Sequence, residues 1–174
     1  EEIDKIIFYT EQRNNKLKKL IEAFGAEKPV DFYRIDRKQL EPQQHLQPGH
    51  GLCPGCGAGM VLYQMATAAY KVAGKNIVYV NNTSCSEVST SKDNVTSWNV
   101  PWVHHLFESG ATIADAISTT YKILKTKGLY EGEVPYVIHI GGDGSTYDIG
   151  FQFLKAAMMR SSSFVLMNED LNQK

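Results

Sequence analysis

The chain has 174 residues, 43% of them hydrophobic and 10% aromatic, which is enough to build the core of one ordinary domain. The formal net charge is -1. The chain therefore lacks the excess of positive charge that is typical of proteins that bind nucleic acids or anionic membrane surfaces. No apolar run approaches the length of a transmembrane helix, and the first residues are acidic where a secretory signal would be basic. Three cysteines, a small and odd number, are typical of the reducing cytoplasm. We therefore expect a cytoplasmic globular chain.

The first 48 residues differ in composition from the rest. They are rich in Lys, Glu, Asp and Gln, contain one predicted helix at about 11–24, and end in a polar, proline-bounded segment at 41–48. We therefore expect an N-terminal extension or linker over residues 1–48 and a folded domain over residues 49–174. Because the chain begins without Met and stops at Lys174, soon after an apolar run, we expect this domain to be truncated at its C-terminal end.

From residue 49 onward, helical and strand-like patterns alternate. Helices are predicted at about 60–72, at about 111–125 with Ile113, Ala116 and Ile117 on one face, and around Phe151, Leu154 and Met158; short apolar strands are predicted at 77–80, 136–140 and 164–167. Strict alternation predicts an α/β fold, in which helices cover a parallel sheet. The ligands of such sheets bind beyond the carboxyl ends of the strands.

Polar or ligating residues follow each of the three predicted strands. Cys85 follows the first, Gly142-Asp143-Gly144 the second and Asn168 the third. A Gly-Asp-Gly turn between a strand and a helix suits a diphosphate held through Mg²⁺, because the glycines allow close approach and the carboxylate offers oxygen. Asn168 can supply a second oxygen to the same ion, and the backbone carbonyl of Asp170 a third. Alone, the tripeptide is weak evidence, since most such sequences are simple tight turns.

The three cysteines resemble an incomplete metal site. Cys53 and Cys56 form a Cys-x-x-Cys pair, and Cys85 lies alone further on. A thioredoxin-like redox pair is one interpretation, although no strand precedes Cys53 as it normally would. A structural zinc site that also uses His50 is a second, and an iron-sulfur cluster whose fourth cysteine lies elsewhere is a third. Spacing alone does not separate zinc from iron-sulfur.

Four separated motifs occur together in one order. They are GHGLCPGCG at 49–57, TSCSEV at 83–88, SWNVPWVH at 97–104 with Phe107-Glu108, and GDGSTYDIG at 142–150. In this order they resemble the thiamine-diphosphate-binding β subunit of the 2-oxoacid:ferredoxin oxidoreductases, and the third motif most resembles the pyruvate enzymes. The resemblance covers about residues 49–170, and residues 1–48 match nothing in it.

The resemblance implies a pyrophosphate-type thiamine-diphosphate domain with specific roles for eight residues. Cys53, Cys56 and Cys85 would ligate a [4Fe-4S] cluster; Asp143 and Asn168 would hold Mg²⁺ on the diphosphate; Gly142, Gly144 and Ser145 would shape the turn. The chain departs from the family pattern in three ways. Its third strand is followed by NEDLN rather than an Asp-Asn-Glu-Ala-Tyr type of segment, and the interval from Asp143 is about three residues short, which makes Asn172 a rival to Asn168. The fourth cluster cysteine is absent.

The resemblance also implies an activity and its partners. The reaction is the oxidative decarboxylation of a 2-oxoacid, pyruvate above all, to acyl-CoA and CO₂, with electrons leaving through the cluster to ferredoxin or flavodoxin. An α subunit or pyrimidine-binding domain supplies the glutamate that activates the aminopyrimidine, so we expect a hetero-oligomer in which coenzyme A and the 2-oxoacid are the small-molecule partners. We assign no general acid or base to this chain, and the isolated chain is expected to be inactive.

Two alternatives remain open from the sequence. One is a non-redox thiamine-diphosphate-dependent decarboxylase in which the cysteines bind zinc or nothing. The other is a zinc-stapled structural subunit that serves only as an assembly scaffold. The remaining conspicuous side chains are expected to be structural: Trp98 and Trp102 as packing or interface residues, and His104, His105 and His139 as histidines without a spaced partner.

Overall fold

The computed structural model describes residues 45–92 and 95–160, and the backbone of residues 165–168. The helix predicted at about 11–24 lies outside these residues, as do Asp170 and Asn172. Along the described chain the elements are α1 Gly57–Ala73, β1 Ile77–Asn82, α2 Cys85–Thr90, β2 Trp102–His105, α3 Gly110–Thr126, β3 Tyr136–Gly141, α4 Asp143–Tyr147, α5 Phe151–Met159 and β4 Val165–Asn168. None of the described helices is both long and apolar enough to cross a membrane.

The described strands form one parallel sheet of four strands, in the order β2-β1-β3-β4. All six residues of β1 are buried, as expected for a parallel sheet with helices on its faces. The predicted α/β fold class is therefore confirmed. The sequence reasoning missed β2, because this strand is only four residues long, follows Pro101 directly and lies at the sheet edge, where proline is tolerated.

One face of the sheet packs against α1. Leu62 and Ala66 of this helix are fully buried in a cluster with Ile77 and Tyr79 of β1. Alternate residues of a strand point to opposite faces, so Val80 lies on the other side, in a second cluster with α3. The sheet is therefore covered on both faces.

On the face of the sheet that α3 covers, two helices bury different residues from those that the sequence pattern predicts. In α3, Ala111 and Ala114 are buried whereas Ala116 is exposed, because small residues allow the helix close to the sheet and to α5. In α5, Leu154 is buried, but Phe151 and Met158 are about half exposed or more, at 51% and 69%. A short helix that packs along one narrow line buries fewer apolar residues than its sequence contains.

The segment just before the glycine-rich turn also joins the core. Leu46 forms an antiparallel bridge with Trp98, and both side chains are buried. His45 is fully buried, with Nδ1 2.8 Å from the Tyr79 hydroxyl and Nε2 bonded to the carbonyl of Gly74. Burial lowers the pKa of His45, so the neutral ring accepts the tyrosine proton at Nδ1 and donates from Nε2. The end of the predicted linker is thus anchored to the sheet, while the domain boundary at residue 48 stays a prediction.

Candidate functional site

The strand order creates a switch point between β1 and β3. From β1 the chain moves outward to β2, then crosses back to β3 on the other side of β1 and continues to β4. At such a point the two connections leave the carboxyl ends of neighbouring strands in opposite directions, which opens the crevice where α/β sheets bind ligands. The segments that follow β1 and β3 begin with Cys85 in α2 and Asp143 in α4.

The aspartate turn follows β3 directly. Asp143 is exposed, and its carboxylate Oδ1 accepts a hydrogen bond from the Gly144 N–H at 2.7 Å. Ser145 is buried and donates its hydroxyl to the Gly142 carbonyl at 3.1 Å. The turn therefore presents the carboxylate to solvent while the residues behind it are fixed, an arrangement that suits a hard cation bridging to phosphate oxygens.

Two glycines of this segment lie close to other groups, one to the backbone and one to an exposed side chain. At Gly150 a Cβ would lie 2.6 Å from the Ser145 carbonyl carbon, so the chain folds back on itself too tightly for a side chain. At Gly144 a Cβ would lie 2.7 Å from Cε1 of Phe107, whose ring covers the turn. The glycines therefore serve the packing of the turn, in addition to any role toward a ligand.

A buried polar network holds the loop that carries Phe107. Asn82, the last residue of β1, donates its side-chain amide to the carbonyls of Leu106 and Phe107, at 2.8 Å each. Its Oδ1 is bonded to Nε2 of His139 on β3. Burial lowers the pKa of His139 to about 4, so the ring is neutral at physiological pH and donates to the asparagine oxygen.

Asn168 ends β4 beside the same turn. Its backbone is in register with Gly141, two residues before Asp143. The end of β4 therefore lies next to the end of β3, as the expected sharing of one ion by Asn168 and Asp143 requires. The side chain of Asn168 is not described, and Asp170 and Asn172 lie outside the described residues, so the choice of metal ligand on this segment stays a prediction.

The cysteine loop precedes α1. Cys53 and Cys56 close a turn in which the Cys56 N–H donates to the Cys53 carbonyl at 3.0 Å. Between them, Gly55 has a φ of +79°, a conformation that side-chain-bearing residues rarely adopt. The Cys53 thiol is exposed, the Cys56 thiol half-buried, and neither forms a disulfide.

One backbone hydrogen bond joins this loop to the helix that starts at Cys85. The Gly51 N–H donates to the Ser89 carbonyl at 2.6 Å, which places the segment before Cys53 alongside α2. Cys85 is exposed and forms no disulfide. The donor chemistry therefore fits an iron-sulfur cluster, because three cysteines outside any disulfide lie on two joined segments. Among the described residues, however, no group of three or more His, Cys, Asp or Glu side chains is already gathered to hold a metal ion.

A third polar group lies between β2 and α2. His104 approaches the buried Glu87, with Nδ1 3.6 Å from Oε1, and its Nε2 lies 2.8 Å from the Thr83 hydroxyl. Together with Trp102, Glu87 and His104 line a cleft of about 400 Å³. Trp98 is buried, as expected of a packing residue, and Trp102 is partly buried.

Sequence reasoning missed Asn82, the packing of Phe107 over the aspartate turn and the partners of His104. The available signals were weak: a polar pair, Asn81-Asn82, at the end of an apolar strand, and a histidine pair after the motif tryptophan. Each contact joins residues 17 to 57 positions apart, so no local pattern reveals it.

No protein-family model matches the chain, but curated relatives do. Pyruvate synthase subunit PorB of Methanocaldococcus jannaschii is 43% identical over 133 residues, which cover 76% of this chain and 43% of the relative. The PorB subunit of Thermotoga maritima is 37% identical over 133 residues, covering 76% of this chain and 41% of the relative. Ketoisovalerate oxidoreductase subunit VorB of Pyrococcus furiosus is 27% identical over 128 residues, covering 74% and 40%. The chain spans about two fifths of the length of these relatives.

The fold and the site define an α/β domain with a cysteine-bearing and an aspartate-bearing segment at the switch point of a parallel sheet. With the similarity to the PorB subunits, the class can be made specific. Over the matched region the chain belongs to the PorB-type β subunits of the 2-oxoacid:ferredoxin oxidoreductase family.

Proposed function

We propose that this chain is part of the thiamine-diphosphate-binding subunit of an enzyme complex that oxidatively decarboxylates a 2-oxoacid, with pyruvate as the first candidate substrate. When bound, thiamine diphosphate and a [4Fe-4S] cluster supply the decarboxylation chemistry and the electron path to ferredoxin or flavodoxin. Coenzyme A takes the acyl group. The small and odd number of cysteines supports a reducing cytoplasm as the location.

One observation carries the proposal. Cys85 and Asp143 begin the segments that leave two neighbouring strands at the switch point, in a chain related to pyruvate synthase subunits. An electron-accepting cluster must lie close to the thiamine cofactor for electrons to pass between them. The carboxyl ends of β1 and β3, which are neighbours in the sheet, support such a placement.

In this proposal, the residues at the carboxyl edge of the sheet have separate binding roles. The Asp143 carboxylate, with Asn168 and Asp170 from the end of β4, holds Mg²⁺ on the diphosphate, while Gly142, Gly144 and Ser145 form the turn behind it. Cys53, Cys56 and Cys85 bind the cluster, and the fourth ligand comes from another segment or subunit of the complex. These side chains bind and orient; the group that activates the aminopyrimidine belongs to an α subunit or pyrimidine-binding domain, so the chain by itself is inactive.

Metal and sulfide analysis of the complete, anaerobically purified complex tests the redox part. We expect iron and acid-labile sulfide, and we expect Cys85→Ser to remove the iron that this subunit binds. A complex with zinc in place of iron, no sulfide and no thiamine diphosphate would favour the scaffold. A complex that contains thiamine diphosphate but no iron or sulfide, with or without zinc, would favour a decarboxylase that performs no redox chemistry.

A second experiment tests the diphosphate turn. Asp143→Asn keeps the shape of the side chain but removes its charge, so we expect the affinity for thiamine diphosphate in the presence of Mg²⁺ to fall by roughly 10–100-fold. Asp148→Asn removes an exposed carboxylate from the same segment and is the matched control. Titration calorimetry measures both. Equal affinities in the two variants would contradict the assignment of Asp143.

A further inference from the structure

His104 lies on the edge strand β2, yet its ring reaches both sides of Cys85. Nε2 lies 2.8 Å from the hydroxyl of Thr83, two residues before the cysteine. Nδ1 lies 3.6 Å from the carboxylate of Glu87, two residues after it. One imidazole therefore spans the turn at which α2 begins.

The chemistry of the three groups is complementary. The Glu87 carboxylate is buried and accepts a hydrogen bond from the Ser91 hydroxyl at 2.6 Å. A carboxylate beside Nδ1 favours the tautomer that carries its proton there, which leaves the Nε2 lone pair to accept the Thr83 hydroxyl proton. Both contacts of the ring are therefore attractive in this tautomer.

The ring itself is held in place by the edge of the sheet. It stacks on Trp102, with centroids 6.1 Å apart and planes inclined by 24°. The Trp102 indole N–H donates to Asn81 Oδ1 at 3.4 Å, which ties it to β1. His104 is therefore oriented by the strands and can transmit that orientation to the helix.

The start of α2 needs such support. The helix has six residues, too few to be stable by its own hydrogen bonds, and its cap is a long contact of 3.4 Å from the Glu87 N–H to the Ser84 hydroxyl. The Cys85 thiol at its first position is exposed. Its direction thus depends on contacts that other elements make with the first turn, and His104 acts there together with Asn81 of β1, whose amide donates to the Ser86 hydroxyl at 3.1 Å.

We propose that His104 is a positioning residue for Cys85. By contacting Thr83 and Glu87 on either side of the cysteine, it fixes the orientation of the Cys85 thiol. The inference rests on the proposed function, because it takes Cys85 as a cluster ligand. Residues that orient metal ligands typically change metal affinity or activity by about 10–100-fold when they are replaced.

The test compares two neighbouring histidines in the complete, anaerobically purified complex. His104→Ala removes both contacts, whereas His105→Ala removes one contact of the same kind, to the Ser109 hydroxyl at 2.6 Å. We expect His104→Ala to release iron to a chelator about tenfold faster than wild type and to shift the cluster's reduction potential, with His105→Ala unchanged in both. His104→Gln keeps a polar group near Thr83 and should restore the slow release. Equal release rates and potentials in the two alanine variants would overturn the proposal.

A measurement that does not depend on bound iron distinguishes the positioning role of His104 from the proposed function. In the chelator-treated complex, the rate at which iodoacetamide modifies each thiol is measured by mass spectrometry. We expect His104→Ala to change the rate at Cys85 and to leave the rate at Cys53 as in wild type. If the Cys85→Ser complex retains as much iron as the wild type, the proposed function fails. If Cys85→Ser loses iron but His104→Ala changes neither the alkylation of Cys85 nor the release of iron, only the positioning role fails.

Discussion

The two sides of the candidate site are built differently. On the aspartate side, Gly150 folds against Ser145, Phe107 covers Gly144, and Asn82 holds the loop that carries the phenylalanine. On the cysteine side, the loop before α1 is mostly exposed, and a Cβ at Gly55 would meet no atom within 4 Å. The aspartate turn is fixed by packing, whereas the loop that carries Cys53 and Cys56 is held by a few backbone hydrogen bonds.

This difference matches what each half is proposed to hold. A diphosphate and its cation are bound by few protein groups, so the geometry of those groups must exist beforehand. Thiolates bonded to a cluster receive their final geometry from the metal, because ligand binding and local folding are coupled. The comparison therefore predicts that changes in the aspartate half cost folding free energy, whereas changes in the cysteine half affect mainly the cluster.

The largest expected effect is acid destabilisation of the aspartate half. Burial lowers the pKa of His139 from 6.5 to about 4, so between these values the unfolded chain binds a proton that the folded chain does not. Stability is fully present above pH 6.5 and falls by about 3 kcal/mol as the pH drops toward 4. The lowered pKa of His45 acts in the same direction. Urea unfolding at a series of pH values measures the slope.

His139→Gln should flatten this pH dependence, because the titrating group is removed. The matched control is His50→Gln, at an exposed histidine of the cysteine loop, which should keep the wild-type slope. If His139→Gln kept the full slope, the acid sensitivity would have to come from other groups.

A smaller effect is expected for Gly150→Ala. The new methyl group would collide with the backbone of Ser145, which cannot move aside as a flexible side chain could. Overpacking of this kind costs about 2 kcal/mol. The unfolding midpoint in a thermal scan should therefore fall by about 4–8 °C, and an unchanged midpoint would show that the turn is not closely packed.

The smallest effects belong to the cysteine loop. Gly55→Ala places a side chain at a φ of +79° in open space, so only backbone strain is added, at about 1 kcal/mol. Gly57→Ala, at the first position of α1 with open space around it, should stabilise by up to about 1 kcal/mol, since alanine favours the helix. Thermal unfolding compares both with Gly150→Ala. A larger loss for Gly55→Ala than for Gly150→Ala would reverse the comparison between the two halves.

Much of this arrangement could be predicted from local patterns. The apolar runs that form β1, β3 and β4 are visible in the sequence, as are the helices between them, and Cys85 and Asp143 follow their strands directly. Parallel strands align their carboxyl ends, so a common edge for these residues follows from the alternation itself. The roles of the individual ligands remain predictions.

Other features depended on contacts that local patterns do not contain. His45 lies in a segment whose composition predicts a polar linker, but it is buried because Tyr79 and Gly74 satisfy both ring nitrogens. The edge strand β2 is too short and too close to a proline to show a strand pattern. His104 reaches the turn of Cys85 only because β2 pairs with β1.

The sequence by itself determined that helices and strands alternate, and that a thiol and a carboxylate follow two of the strands. Only the tertiary structure decided that these two strands are neighbours with the switch point between them, and that His104, Asn82 and Phe107 reach the segments that carry the ligands. The physical reason is that periodicity reports which face of each element is apolar, whereas strand order is set by how all the elements pack together around one core.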